Sequence, residues 1–134
     1  MKDILISAGL TMLLACASFQ GASAQSLPAF VKKAYPERAQ SLGWKEDLAI
    51  MDPNGALSAK TKELIGLAVA AQIPCQYCVY YHTKAAEAAG ATDAQIKEAV
   101  ATAAITRKWS TVLNGSAYDL DAFEKEVDGM LASN

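Results

Sequence analysis

From Ser58 onward, capping residues, apolar residues at helical spacing and Gly or Pro stops divide the chain into helical segments. In the clearest example, Ser58 precedes a helical run over residues 59–72, and Ile73-Pro74 ends it. No segment alternates apolar and polar residues for long enough to predict a strand. The alanine-rich composition, which is poor in Gly and Pro, also favours helix. The sequence therefore predicts an all-α protein.

The same signals predict five further helices in a single domain. We expect them at residues 27–31, 36–44, 74–89 with Gly90 as the stop, 93–113 behind a capping box at Thr92, and 120–131 behind Asp119. A chain of 134 residues is long enough for one domain with its own core and too short for two. The net charge of −2 gives no basic surface that would attract nucleic acid.

The first 24 residues have the character of a secretory signal. Met1-Lys2 precedes an apolar run over residues 4–17, and the small residues Ala22-Ser23-Ala24 follow. We expect cleavage after Ala24, which leaves a mature domain of residues 25–134 that is secreted or periplasmic. A membrane anchor is one alternative, although the run is shorter than the roughly 20 residues of a membrane span. Another is a lipoprotein, because Leu13-Leu14-Ala15-Cys16 looks like a lipobox.

The most unusual residues of the mature part lie in the segment PCQYCVYYH, residues 74–82. Cys75, Cys78 and His82 are spaced i, i+3 and i+7, so they share one face of the expected helix. Both cysteines fall near the helix N-terminus, where the unpaired N–H groups and the helix dipole favour a thiolate. A disulfide across two residues would close a very small loop and add little stability. The pair is therefore better suited to redox chemistry, in which one thiolate attacks a peroxide or disulfide and the other resolves the product.

Glu63 lies on the preceding helix among small or apolar residues, including Gly66 and Ala70. A carboxylate with such neighbours is unusual unless it has a partner. The Ile73-Pro74 break would fold the two helices back on each other, so Glu63 could orient His82 or relay a proton. Alternatively, Glu63 only favours the positive first turn of its own helix.

Two other uses of the two cysteines and the histidine remain open, a structural zinc site and a buried structural role, whereas haem attachment and a thioredoxin fold are excluded. A structural zinc site needs four ligands and would have to recruit Glu63 or another subunit. Covalent haem attachment requires a histidine directly after the second cysteine, where this chain has Val79. A thioredoxin fold would need strands around the CxxC. Two buried structural cysteines with a core histidine are the simplest alternative.

Three tyrosines project from the other side of the same helix. Tyr77, Tyr80 and Tyr81 would give a monomer an unusually aromatic surface, which indicates a subunit interface. Packing of each ring under a neighbouring loop would explain them equally well.

Glu63, Cys75, Cys78 and His82 together form the pattern E-x11-C-x2-C-x3-H. This pattern resembles the AhpD-like alkylhydroperoxidases of the carboxymuconolactone decarboxylase family. The stretch over residues 57–115, which includes LSAKTKELIGLAVAAQIPCQYCVYYHTKAAEAAGA, is similar to that family as well. The resemblance implies the all-helical AhpD-like fold and an activity of hydroperoxide reduction or disulfide exchange.

The resemblance also implies a role for each residue of the motif. Cys78 would react with the peroxide, Cys75 would be the more exposed resolving thiol, and Glu63 and His82 would relay protons. It implies a homo-oligomer, commonly a trimer or hexamer, with no metal or organic cofactor and an unidentified thiol or disulfide reductant. This sequence departs from the family pattern in two ways. Tyr77 stands where some family peroxidases have a histidine, and an exported protein would have no access to the intracellular reductants.

Two further functional classes stay as alternatives. One is a non-enzymatic module that binds a metal or supports an oligomer. The other is a family-like enzyme acting on a small organic acid or lactone. Decarboxylase members of the family act on a lactone and lack the cysteine pair, so Cys75 and Cys78 argue against that reaction.

Overall fold

The computed structural model describes residues 26–133 of the chain. It contains six helices and no strand in this range, which confirms the all-α class. The helices are α1 (Ala29–Ala34), α2 (Glu37–Ile50), α3 (Ala59–Gln72), α4 (Gln76–Ala88), α5 (Asp93–Gly115) and α6 (Leu120–Ala132). The expected signal peptide, with its cleavage after Ala24 and the alternative start at Cys16, lies outside the described residues. None of the six helices has the length and apolar character needed to cross a bilayer.

Three predicted helix caps are confirmed. Ser58, Thr92 and Asp119 each use a side-chain oxygen to accept a backbone N–H from the first turn of α3, α5 and α6. At Thr92 the capping box is complete, because the Gln95 side chain also accepts the Thr92 backbone N–H at 3.0 Å. The caps satisfy N–H groups that have no partner within their own helix.

The predicted start of α4 was wrong. The helix begins at Gln76, and Cys75 is its N-cap with an extended backbone. The Cys75 sulfur accepts the Cys78 N–H at 3.2 Å, which is the role usually taken by a Ser or Asp oxygen. Pro74 therefore lies before the helix rather than in its first turn. The predicted end of α2 was also too early, because the helix continues to Ile50, just before the turn around Pro53.

The described residues divide into two compact units, residues 26–41 and 42–133. The described part of the first unit contains α1 and the beginning of α2. Its two helical pieces are joined by the Gln40 side-chain amide, which donates to the carbonyls of Lys32 and Tyr35 at 3.0 and 2.9 Å.

In the second unit α3 packs against both α4 and α5. The residues at this junction are mostly small: Leu67, Ala70, Ala86 and Ala103 are all buried. Small side chains let the helix backbones approach closely, so α3 and α4 form a tight pair. This pair positions the cysteine segment, residues 74–82.

Both ends of the α3–α4 pair are fixed by specific hydrogen bonds. At the end of α3, Arg107 of α5 donates from Nε to Gln72 Oε1 at 2.7 Å and from Nη2 to the Gln72 carbonyl at 3.2 Å. At the end of α4, Gly90 adopts φ +81° and the Ala91 N–H donates to the Ala86 carbonyl at 2.8 Å. This is a Schellman ending, and it confirms Gly90 as the helix stop.

Candidate active site

Glu63 and His82 form a direct hydrogen bond between α3 and α4. Glu63 Oε2 lies 2.7 Å from His82 Nδ1. Glu63 is buried, with 8% of its surface exposed, and His82 is half-buried. When Glu63 is ionised its carboxylate only accepts, so Nδ1 of His82 must then donate, and Nε2 of a neutral ring is left to act as a base. Of the two alternatives that the sequence left open for Glu63, the structure therefore shows the pairing with His82.

Gly66 is a site residue that the sequence analysis did not assign. A Cβ added at Gly66 would lie 2.5 Å from His82 Cε1, 2.6 Å from Nδ1 and 2.8 Å from Nε2. Real Cβ atoms do not approach other heavy atoms so closely, so the imidazole occupies space that only a glycine leaves open. A glycine inside a helical run, three residues after Glu63, was the available signal.

Cys75 and Cys78 are joined by a disulfide at the N-terminus of α4. Their Cα atoms are 5.3 Å apart, which is within the usual range for a disulfide. Both residues are half-buried. After reduction the two sulfurs would lie at the positive end of α4, which favours a thiolate. His82 follows Cys78 by one helical turn.

Tyr81 is the aromatic neighbour of the Glu63–His82 pair. Its ring meets the His82 ring edge to face, with 5.2 Å between the ring centres. Burial raises the pKa of Tyr81, and the negative charges of Glu63 and Asp47 raise it further. Tyr81 therefore stands apart from the other tyrosines of α4, although the sequence grouped all three on one outer surface.

An open groove of about 550 Å³ adjoins the cysteine segment. Pro74 and Gln76, the two neighbours of Cys75, line one end of it, and Val79 and Lys84 lie further along α4. Neither cysteine is among the residues that line this groove, although Pro74 and Gln76 flank Cys75 in the sequence. Among residues 26–133, no three side chains of the His, Cys, Asp or Glu type converge as the ligands of a metal ion would.

The solved structure of an alkylhydroperoxidase AhpD core from Rhodospirillum rubrum has a similar fold. It superposes with a TM-score of 0.60 at 31% identity, and the match covers 64% of each chain. A second relative, uncharacterized protein 4 in the cox locus of Paracoccus denitrificans, is 46% identical over 54 residues. That match covers 40% of this chain and 49% of the relative, so the chain spans about half the length of this relative.

The sequence also matches the model of the carboxymuconolactone decarboxylase family over residues 37–119. The matched region contains Glu63, Gly66, the cysteine pair and His82, and it covers more than half of the chain. The AhpD-like resemblance of the E-x11-C-x2-C-x3-H pattern is thus confirmed at the level of family and fold. The protein belongs to the carboxymuconolactone decarboxylase family.

Proposed function

We propose that this protein is a thiol-dependent peroxidase or thiol–disulfide oxidoreductase that reduces organic hydroperoxides. One observation carries the proposal: the Cys75–Cys78 disulfide lies at the start of α4, and the 2.7 Å bond between Glu63 and His82 lies one turn further along. Such a site combines two sulfurs within bonding distance, a helix end that favours a thiolate, and an oriented base.

In the first step the Cys78 thiol gives its proton to His82 Nε2, while Nδ1–H remains bonded to Glu63. The Cys78 thiolate attacks the terminal oxygen of the hydroperoxide, and the O–O bond breaks. The sulfur becomes a sulfenic acid, and the departing alkoxide takes the proton from His82 to become an alcohol. Glu63 stabilises the imidazolium that exists between the two proton transfers.

In the second step the Cys75 sulfur attacks the sulfur of the Cys78 sulfenic acid. The S–S bond forms, the S–O bond breaks, and the released hydroxide takes the Cys75 proton to become water. The net reaction converts one hydroperoxide and two thiols to one alcohol, one water and one disulfide. An external dithiol then reduces the disulfide by thiol–disulfide exchange, and is itself oxidised to a disulfide.

The cysteine pair supports redox chemistry over the lactone decarboxylation from which the family takes its name. Decarboxylation needs no sulfur that cycles between thiol and disulfide. The groove, which is lined by Pro74 and Gln76 but by neither cysteine, offers apolar surface for the organic part of a hydroperoxide.

The test is a thiol titration and an intact mass of the reduced mature domain, before and after one equivalent of cumene hydroperoxide. We expect two thiols to disappear and the mass to fall by about 2 Da, as one disulfide forms. Cys78→Ser should consume no peroxide, whereas Cys75→Ser should complete one turnover and retain a sulfenic acid. Protein with both thiols alkylated is the control. Two thiols that survive the peroxide would contradict the proposal.

We also propose that the protein works outside the cytosol as a homo-oligomer. Large apolar side chains are exposed along several described helices, and a second copy of the chain would bury them. Examples are Ile65 and Val69 of α3, Trp109 of α5 and Phe123 of α6. Light scattering on the mature domain should give a trimer or hexamer. A monomer at micromolar concentration would refute this assembly.

A further inference from the structure

The three tyrosines of α4 do not have equal environments. Tyr77 and Tyr80 are 79% and 71% exposed, whereas Tyr81 is 50% exposed. Consecutive side chains on a helix diverge by about 100°, so neighbouring rings do not ordinarily meet. The rings of Tyr81 and His82 nevertheless lie 5.2 Å apart at an interplanar angle of 79°. This is an edge-to-face aromatic contact, and it requires Tyr81 to lean toward His82.

Tyr81 is also partly buried and lies within electrostatic range of two carboxylates. Burial is the main cause that raises its pKa, followed by the charge of Glu63 on α3 and that of Asp47 on α2. The direct contact of the Tyr81 ring is with His82, whose Nδ1 is bonded to Glu63. The side chains of Glu63 and His82 retain only 11% and 22% exposure.

We propose that Tyr81 is a positioning residue, whose ring packs edge to face against the His82 imidazole and holds it with Nδ1 toward Glu63. Two constraints then act on the imidazole: Gly66 provides the space that it occupies on α3, and Tyr81 restricts its rotation from α4. The effect on turnover rests on the proposed function, but the orientation of His82 does not.

The test compares Tyr81→Leu, which removes the ring, with Tyr81→Phe, which removes only the hydroxyl. Tyr77→Leu is the matched control, because it takes a tyrosine from the same helix and shares any general effect of losing an exposed ring. His82 is the only histidine in the chain, so in tag-free protein every imidazole ¹⁵N signal belongs to it. The second measurement is the rate of disulfide formation after mixing the reduced protein with cumene hydroperoxide.

In the wild type and in Tyr77→Leu we expect ¹⁵N shifts typical of a ring protonated at Nδ1. Tyr81→Leu should move them toward a mixture of the two tautomers and slow disulfide formation by about tenfold, as a less well oriented base would. Tyr81→Phe should retain the wild-type shifts and rate. Circular dichroism would establish that each variant is folded.

Two results would overturn the inference. One is a Tyr81→Leu spectrum that matches the Tyr77→Leu spectrum, since the ring would then not orient His82. The other is a Tyr81→Phe variant as impaired as Tyr81→Leu, because the hydroxyl rather than the packed ring would then be responsible. If the wild type forms no disulfide with peroxide, the proposed function fails, while the ¹⁵N comparison still decides the role of Tyr81.

Discussion

Replacing Gly66 with alanine is expected to push the His82 imidazole away from Glu63. The new methyl group would lie 2.5 Å from His82 Cε1, whereas non-bonded carbon atoms favour about 3.5 Å or more. The ring must therefore move by about 1 Å. Its Nδ1–Oε2 distance is 2.7 Å, and a shift of this size away from α3 takes it beyond hydrogen-bonding range.

The effect on stability combines two opposing contributions. A hydrogen bond to a charged group in a partly buried site contributes about 1.5–3 kcal/mol, and Gly66→Ala would lose it. Alanine in the middle of a helix is more stable than glycine by about 0.5–1 kcal/mol, and Gly66→Ala would gain this. The net expectation is a destabilisation of about 1 kcal/mol. The loss of the oriented base should slow the reaction with peroxide by about 100-fold or more.

The assay is urea unfolding of four proteins: the wild type, Gly66→Ala, His82→Ala and the double variant. In the His82→Ala background, where the imidazole is absent, the effect of Gly66→Ala on the free energy of unfolding should reverse its sign. The substitution should then stabilise the protein by about 0.5–1 kcal/mol. Gly129→Ala on α6 is the matched control, because a Cβ there meets nothing within 4 Å, and it should stabilise the wild type by a similar amount. The reasoning is refuted if Gly66→Ala stabilises the wild type as Gly129→Ala does and reacts with peroxide at the normal rate.

Three further predictions concern the relay, a helix cap and the N-terminus. Glu63→Gln preserves the shape of the side chain but removes its charge. Stopped-flow kinetics should therefore show a reaction with peroxide that is slowed by about tenfold or more. The control, Glu98→Gln on the exposed face of α5, should react at the wild-type rate. Thr92→Ala breaks the capping box and should cost about 1 kcal/mol in urea unfolding, whereas Thr106→Ala within α5 should cost less. The intact mass of exported protein should correspond to a start at Gln25, and a lipid-modified start at Cys16 would contradict the predicted cleavage.

The sequence predicted those parts of the fold that depend on local signals. Ser58, Thr92 and Asp119 act within one turn of the chain, so their capping role can be inferred from their neighbours alone. The same holds for the Gly90 stop, which requires a left-handed backbone. The shared face of Cys75, Cys78 and His82 follows from helical spacing.

The features that the sequence did not predict depend on contacts between helices or on side-chain direction. The requirement for Gly66 arises because the His82 ring from α4 enters its space, and no local pattern in α3 contains that information. Tyr81 was grouped with Tyr77 because helical spacing places it on the outer face, but its ring leans back toward His82. The start of α4 was misplaced because cysteine is not among the usual capping residues, so Pro74 and Cys75 were assigned to the first helical turn.

The capping role of Cys75 separates the fold of this protein from its redox chemistry. Serine is a preferred N-cap, so exchanging the Cys75 sulfur for oxygen would leave the start of α4 satisfied while removing the possibility of a disulfide. Alanine at the same position would remove both the helix cap and the disulfide. A homologue with serine at this position would therefore be expected to keep the complete fold, and its shape would give no indication that its ability to cycle electrons had been lost.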